Sequence, residues 1–125
     1  MPTIIVNNFC DNIQKVRLFN CHIDSQNIEL EKYTDISFKV YEPGFSNPIL
    51  IKTSDNKDFS LESEYAGFPK NVISFNISAL DLKNILPNPS LSDRIREYRL
   101  IAKKDGICCL LSQGCFYVED KMVGR

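Results

Sequence analysis

Apolar and polar positions alternate along much of this chain, and the alternation is sharpest over Asp35-Ile-Ser-Phe-Lys-Val-Tyr. There Ile36, Phe38 and Val40 share one face and Ser37, Lys39 and Tyr41 the other, the two-residue period of a half-buried strand. The same period returns over Asn71-Val-Ile-Ser-Phe-Asn-Ile, with Ile73, Phe75 and Ile77 on one side. Thr3 to Val6 is a short β-branched run, and Ile13-Gln-Lys-Val-Arg-Leu-Phe alternates in part, which predicts two early strands. Glu42-Pro-Gly-Phe-Ser-Asn-Pro supplies turn residues before Ile49-Leu-Ile-Lys-Thr, the expected return strand of a hairpin.

Residues 54–70 are polar and turn-rich, with Phe59, Leu61, Tyr65 and Phe68 as the apolar exceptions, and read as an exposed excursion. Ser78-Ala-Leu-Asp-Leu-Lys-Asn-Ile-Leu-Pro departs from the strand pattern. Ser78 can cap a turn, Asp81 stands three positions later, and Leu82, Ile85 and Leu86 share a helical face, so a short helix ending near Pro87 is expected. Arg94 to Lys103 is strand-like, Lys104-Asp-Gly is a hairpin turn, and Ile107 to Ser112 is its partner strand. Gly114 is expected to interrupt that strand as a bulge before Cys115-Phe-Tyr-Val closes the fold. Seven or eight strands with one helical connection predict an all-β, antiparallel sandwich. A chain of 125 residues fits one such domain, with Met1 to Asn8 and Glu119 to Arg125 expected as terminal arms.

Val72-Ile-Ser-Phe-Asn-Ile-Ser-Ala-Leu-Asp-Leu-Lys-Asn-Ile-Leu-Pro, Arg99-Leu-Ile-Ala-Lys-Lys-Asp-Gly and Leu110-Leu-Ser-Gln-Gly-Cys-Phe-Tyr-Val, taken together, resemble immunoglobulin-like domains of tailed-phage virion proteins. The shared order is a strand, a short helical Ser-Ala-x-Asp connection, an alternating strand, an Asp-Gly hairpin and a closing Gly-x-Phe-x-Val strand. Asp35 to Tyr41 is similar to the family's early strand but lacks the Asp-Leu-Thr-Gly turn that often follows it, so the likeness covers about half the chain. It implies an immunoglobulin-like sandwich and a non-enzymatic role as a capsid decoration, head-tail, baseplate or fibre subunit. The implied partners are other virion proteins, in many copies of a symmetric assembly built in the host cytoplasm. The resemblance brings no catalytic residues and no cofactor.

Charge and candidate chemistry narrow the alternatives. Fifteen Lys and Arg against sixteen Asp and Glu leave a net charge of −1, which does not suit a nucleic-acid partner. No apolar run approaches the roughly 20 residues that span a bilayer, and Met1-Pro-Thr-Ile-Ile-Val-Asn-Asn does not read as a Sec-type signal. Five cysteines, Cys10, Cys21, Cys108, Cys109 and Cys115, are expected as reduced thiols without a Cys-x-x-Cys metal pair. The sole histidine sits in Cys21-His22-Ile23-Asp24, where a carboxylate could orient an imidazole, but a hydrogen-bonded histidine beside a turn aspartate accounts for the same residues. Cys10, Cys21, His22 and Cys115 could supply four zinc ligands, against which stand buried cysteines acting as small hydrophobes. Asp55, Asn56, Asp58 and Glu62 have oxygen ligands but lack the glycine and register of a calcium loop. Asn76-Ile-Ser matches a glycosylation sequon that needs an export route to be used.

With no nucleophile elbow or phosphate loop, the candidates are interface residues. Tyr41, Phe45, Tyr65 and Phe68 are the aromatic anchors, and Arg94 and Arg96, on one strand face of a basic stretch with Arg99, Lys103 and Lys104, are the charged ones. Residues 42–48 and 54–70 are the loops expected to touch neighbouring subunits. The same loop aromatics would serve a soluble carbohydrate- or peptide-binding adaptor, an alternative that the absence of Trp weakens.

Overall fold

The computed structural model describes residues 3–7, 12–17, 29–44, 46–63, 65–67, 69–85 and 95–119. Eight strands make two sheets that face each other as an all-β sandwich: β1 (Thr3–Asn7), β2 (Asn12–Arg17), β3 (Thr34–Tyr41), β4 (Leu50–Thr53), β5 (Phe59–Glu62), β6 (Val72–Ile77), β7 (Ile95–Lys104) and β8 (Ile107–Glu119). One helix, α1 (Ala79–Ile85), follows β6. The larger sheet has the order β1-β8-β7-β3-β4 and the smaller β2-β6-β5. All pairs are antiparallel except β1 with β8, which run parallel.

The alternating residues supply the core. Ile36, Phe38 and Val40 of β3 point inward beside Tyr98, Leu100 and Ala102 of β7 and Phe116 and Val118 of β8, facing Ile73, Phe75 and Ile77 of β6. Phe38 is the hub. Its ring lies 4.6 Å from that of Phe75 in the opposite sheet, 5.5 Å from Tyr98 and 6.2 Å from Phe116. Phe59 extends the cluster, meeting Phe75 edge-on at 5.6 Å. Leu30, in a single 3-10 turn before β3, and Leu82 of α1 are fully buried and add to the same core.

Local chemistry explains the punctuation. Asp105 and Gly106 both adopt positive φ (53° and 77°), the backbone a tight hairpin turn requires, and connect β7 to β8 as the Asp-Gly pair predicts. At α1 the Ser78 hydroxyl accepts from the Asp81 amide (3.0 Å) while the Asp81 carboxylate accepts from the Ser78 amide (2.9 Å). This reciprocal box meets two amides that the first helical turn leaves without partners.

Three expectations change. Thr3–Asn7 is not part of an arm: its Ile4 and Val6 are buried in the core and its backbone pairs with Cys115–Glu119, because a β-branched run gains more from burial than from extension into water. The 54–70 excursion contains β5, whose Phe59 and Leu61 pack inward despite the surrounding polar residues. The bulge in β8 is at Leu111, between the Leu100–Ser112 and Ile101–Leu110 pairs, while Gly114 stays in register opposite Tyr98.

Replacing Phe38 with Ala removes the ring that joins the two sheets and is expected to cost about 3–5 kcal/mol. Urea unfolding of Phe38→Ala against wild type measures this as a lowered midpoint.

Candidate interaction surface

The residues singled out as interface anchors separate in the structure. Tyr41 is 9% exposed, with the Arg99 guanidinium 4.8 Å from its ring centre, so its ring is already covered by this chain. Arg96 is 1% exposed and points inward rather than presenting a basic edge. The reason is a tertiary pairing: its Nε donates to Glu42 Oε1 at 2.8 Å, so that the end of β3 and the start of β7 are tied by a buried ion pair. Tyr41 and Arg96 therefore hold the fold and are withdrawn as contact residues. Tyr65 is 61% exposed and keeps the expected placement. Phe45, Phe68 and Arg94 lie outside the described residues, as do Cys10, Cys21, His22 and Asp24.

The oxygen-rich stretch after β4 is turn chemistry. Asp58 Oδ2 accepts from the Thr53 amide (2.9 Å), Thr53 Oγ1 accepts from the Asn56 amide (3.2 Å), and Lys57 takes positive φ. Among the described residues no group of three or more His, Cys, Asp or Glu side chains could hold a metal ion. Cys108, Cys109 and Cys115 are free thiols. No helix of the described residues is long and apolar enough to cross a membrane.

What the larger sheet does expose is an outer face with several large apolar side chains. Register places Ile5, Tyr117 and Ile95 side by side across β1, β8 and β7. Ile5 and Ile95 are 52% and 61% exposed. Ile51 of β4 and Leu110 of β8 open onto the same face, whose centre carries Lys39, Glu97 and Arg99. Leu110 arrives there because the bulge shifts the alternation of β8 by one residue; in an unbulged strand it would share the inward phase of Ser112 and Gly114. Arg99 Nε donates to Glu97 Oε1 at 3.1 Å, so two of the three central charges pair with each other, and apolar side chains flank them. The face thus combines a charged centre with half-exposed apolar side chains towards its margins.

The Glu42 end of β3 borders a cavity of about 380 Å³ lined by Glu42, Ser46, Asn47, Pro48 and Ile49. Behind the sheet, Asp81 joins α1 to β4: Lys52 Nζ donates to its Oδ2 at 2.7 Å. Partial burial pushes the Asp81 carboxyl up, but the Lys52 ammonium and the Ser78 donors outweigh it and hold the group below its ordinary value.

The outer face was hidden from sequence reasoning because its residues come from strands distant along the chain and one of them depends on the bulge. The available signal was redundancy: Thr3 to Val6 and Ile107 to Leu111 carry apolar side chains in both phases, more than one inward face can use. No protein-family model matches the chain, and neither does any curated protein.

Two outcomes follow from the polar ties. Glu42→Ala deprives a buried guanidinium of its carboxylate and is expected to cost about 3–5 kcal/mol, whereas Glu42→Leu combined with Arg96→Met costs less than Glu42→Ala alone. Chemical denaturation of the three proteins tests that order. For Asp81 the lowered folded-state value means stability that is present above the unfolded-state value and lost as pH falls through the folded one. The stability gap between wild type and Asp81→Asn should be full at pH 7, shrink below about pH 4 and close at lower pH, as thermal melts across that range would record.

Proposed function

We propose that this chain is a non-enzymatic structural subunit of a tailed-phage virion, an immunoglobulin-like sandwich that works by protein-protein contact in an assembly of many copies. The observation that carries the contact reading is the outer face of the larger sheet, with Ile5, Ile51, Ile95 and Leu110 each about half exposed on a rigid strand scaffold. Large exposed apolar side chains gathered on one face of a rigid sheet are candidates for contact with a partner.

The strand order supports the immunoglobulin-like part of the reading. With β2 to β8 taken as strands B, C, C′, D, E, F and G, the sheet β8-β7-β3-β4 corresponds to G-F-C-C′ and the sheet β2-β6-β5 to B-E-D. The helix α1 then falls in the E–F connection, where the resemblance to phage domains has its Ser-Ala-x-Asp segment. Position in the particle, whether capsid, head-tail joint, baseplate or fibre, and assembly in the host cytoplasm follow from that resemblance alone.

In this reading contacts shift from the 54–70 segment, half of whose apolar residues build β5, to the outer sheet face, with the β3–β4 loop at its margin. A soluble peptide- or carbohydrate-binding adaptor is the second reading, favoured by the cavity beside Glu42 and Asn47. Ile95→Lys separates the two. Its side chain points to solvent, so the fold should be unchanged by circular dichroism, while copy number in purified particles falls about tenfold or more, a loss of roughly 1.4 kcal/mol. Unchanged copy number counts against the sheet face, and a ligand whose binding is lost on Asn47→Ala favours the adaptor.

A further inference from the structure

Each sheet of an open sandwich ends in strands with unpaired backbone groups, and soluble proteins protect such edges with charge, proline or distortion. Among the described residues four strands stand at the edges: β1 and β4 in the larger sheet, β2 and β5 in the smaller. Three carry charged side chains, Lys15 and Arg17 in β2, Lys52 in β4 and Glu62 in β5. The fourth does not: β1 reads Thr3-Ile4-Ile5-Val6-Asn7. Among the described residues, β1 has β8 on one side and no strand on the other. It is also held firmly in place, since Ile4 is 7% and Val6 1% exposed while Ile5, between them, turns outward at 52%.

We propose that β1 is the edge through which two copies of this chain join, antiparallel and about a two-fold axis at Ile5, so that the larger sheet runs on from one copy into the next. The occupant is argued from the strand itself. Antiparallel self-pairing centred on Ile5 sets Ile5 opposite Ile5, Ile4 opposite Val6 and Thr3 opposite Asn7, with no charge facing a like charge. The apolar row Ile5–Tyr117–Ile95 of one copy then continues into Ile5–Tyr117–Ile95 of the other, flanking the half-exposed Ile5 on the side that a lone copy leaves in water. The two-fold operation uses the same patch twice, as a closed pair requires. An interface of this extent belongs to the small class, below about 1,200 Å² in total. Association is therefore weak and concentration-dependent in solution, and becomes effective where an assembly holds copies close together.

The inference rests on the assembly reading only for the setting in which the contact is used; the edge chemistry stands without it. Sedimentation of the purified chain over a range of concentrations, up to about millimolar, provides the test. Wild type should shift from monomer toward dimer, Ile5→Lys should weaken association about tenfold or more by setting two ammonium groups opposite each other, and Ile13→Lys, a change at a still more exposed position on the β2 edge, should behave as wild type. Thermal melts confirm that each variant is folded. Ile5→Cys under mild oxidation should yield a disulfide that links two copies through position 5, located by peptide mass analysis. A wild type that stays monomeric, or an Ile5→Lys variant that dimerises as wild type does, overturns the edge contact. If that monomer is nevertheless recovered from particles in many copies, the edge contact fails while the assembly reading stands.

Discussion

The contact between the rings of Phe38 and Phe75 holds the two sheets face to face, and the rest of the structure depends on it. Hydrogen bonds fix each sheet internally, but side-chain packing is what presses one sheet on the other, and Phe38 gathers aromatic neighbours from β6, β7 and β8 around one point. Burial of these large rings adds to that of the aliphatic residues around them, and apolar burial is the main favourable term in a small core. The buried Tyr98 ring joins this cluster without leaving its polar end unmet, since its hydroxyl shares a hydrogen bond with Ser112 Oγ at 3.0 Å.

Around that centre, polar ties fix the parts that packing leaves free. Arg96 and Glu42 lock the end of β3 to β7, and Asp81 Oδ2 serves two groups at once, the Ser78 amide and Lys52 of β4. The consequence for function is a stiff five-stranded sheet whose outer side chains are held in fixed register. A surface so positioned loses little conformational freedom on meeting a partner, so its modest apolar area is used efficiently. The β8 bulge contributes to the same end by turning Leu110 outward.

Much of this frame was legible in the sequence. The period of β3 named its three inward residues, the Ser78 and Asp81 spacing specified the helix start, and the Asp105-Gly106 pair located a hairpin whose backbone has the expected positive φ. Each depends on neighbours close along the chain. What escaped depends on tertiary placement. β5 is short and lies among turn residues, so Phe59 and Leu61 declare themselves as core only when β6 is beside them. Arg96 reads as a surface charge until Glu42, 54 positions away, is brought to it. Tyr41 stands on the outward phase and is buried by Arg99 from another strand. The outer apolar face combines residues from four strands, and no local pattern announces it.

The central claim is that this sandwich acts as a repeated building block, its outer sheet face turned toward neighbours. Native mass measurement and electron microscopy of the protein as isolated from its source test that claim most directly. The account predicts many copies at a fixed site of a large symmetric particle, with Ile95 and Tyr117 covered by an adjoining subunit. A free monomer carrying a bound sugar, peptide or metal ion would contradict it.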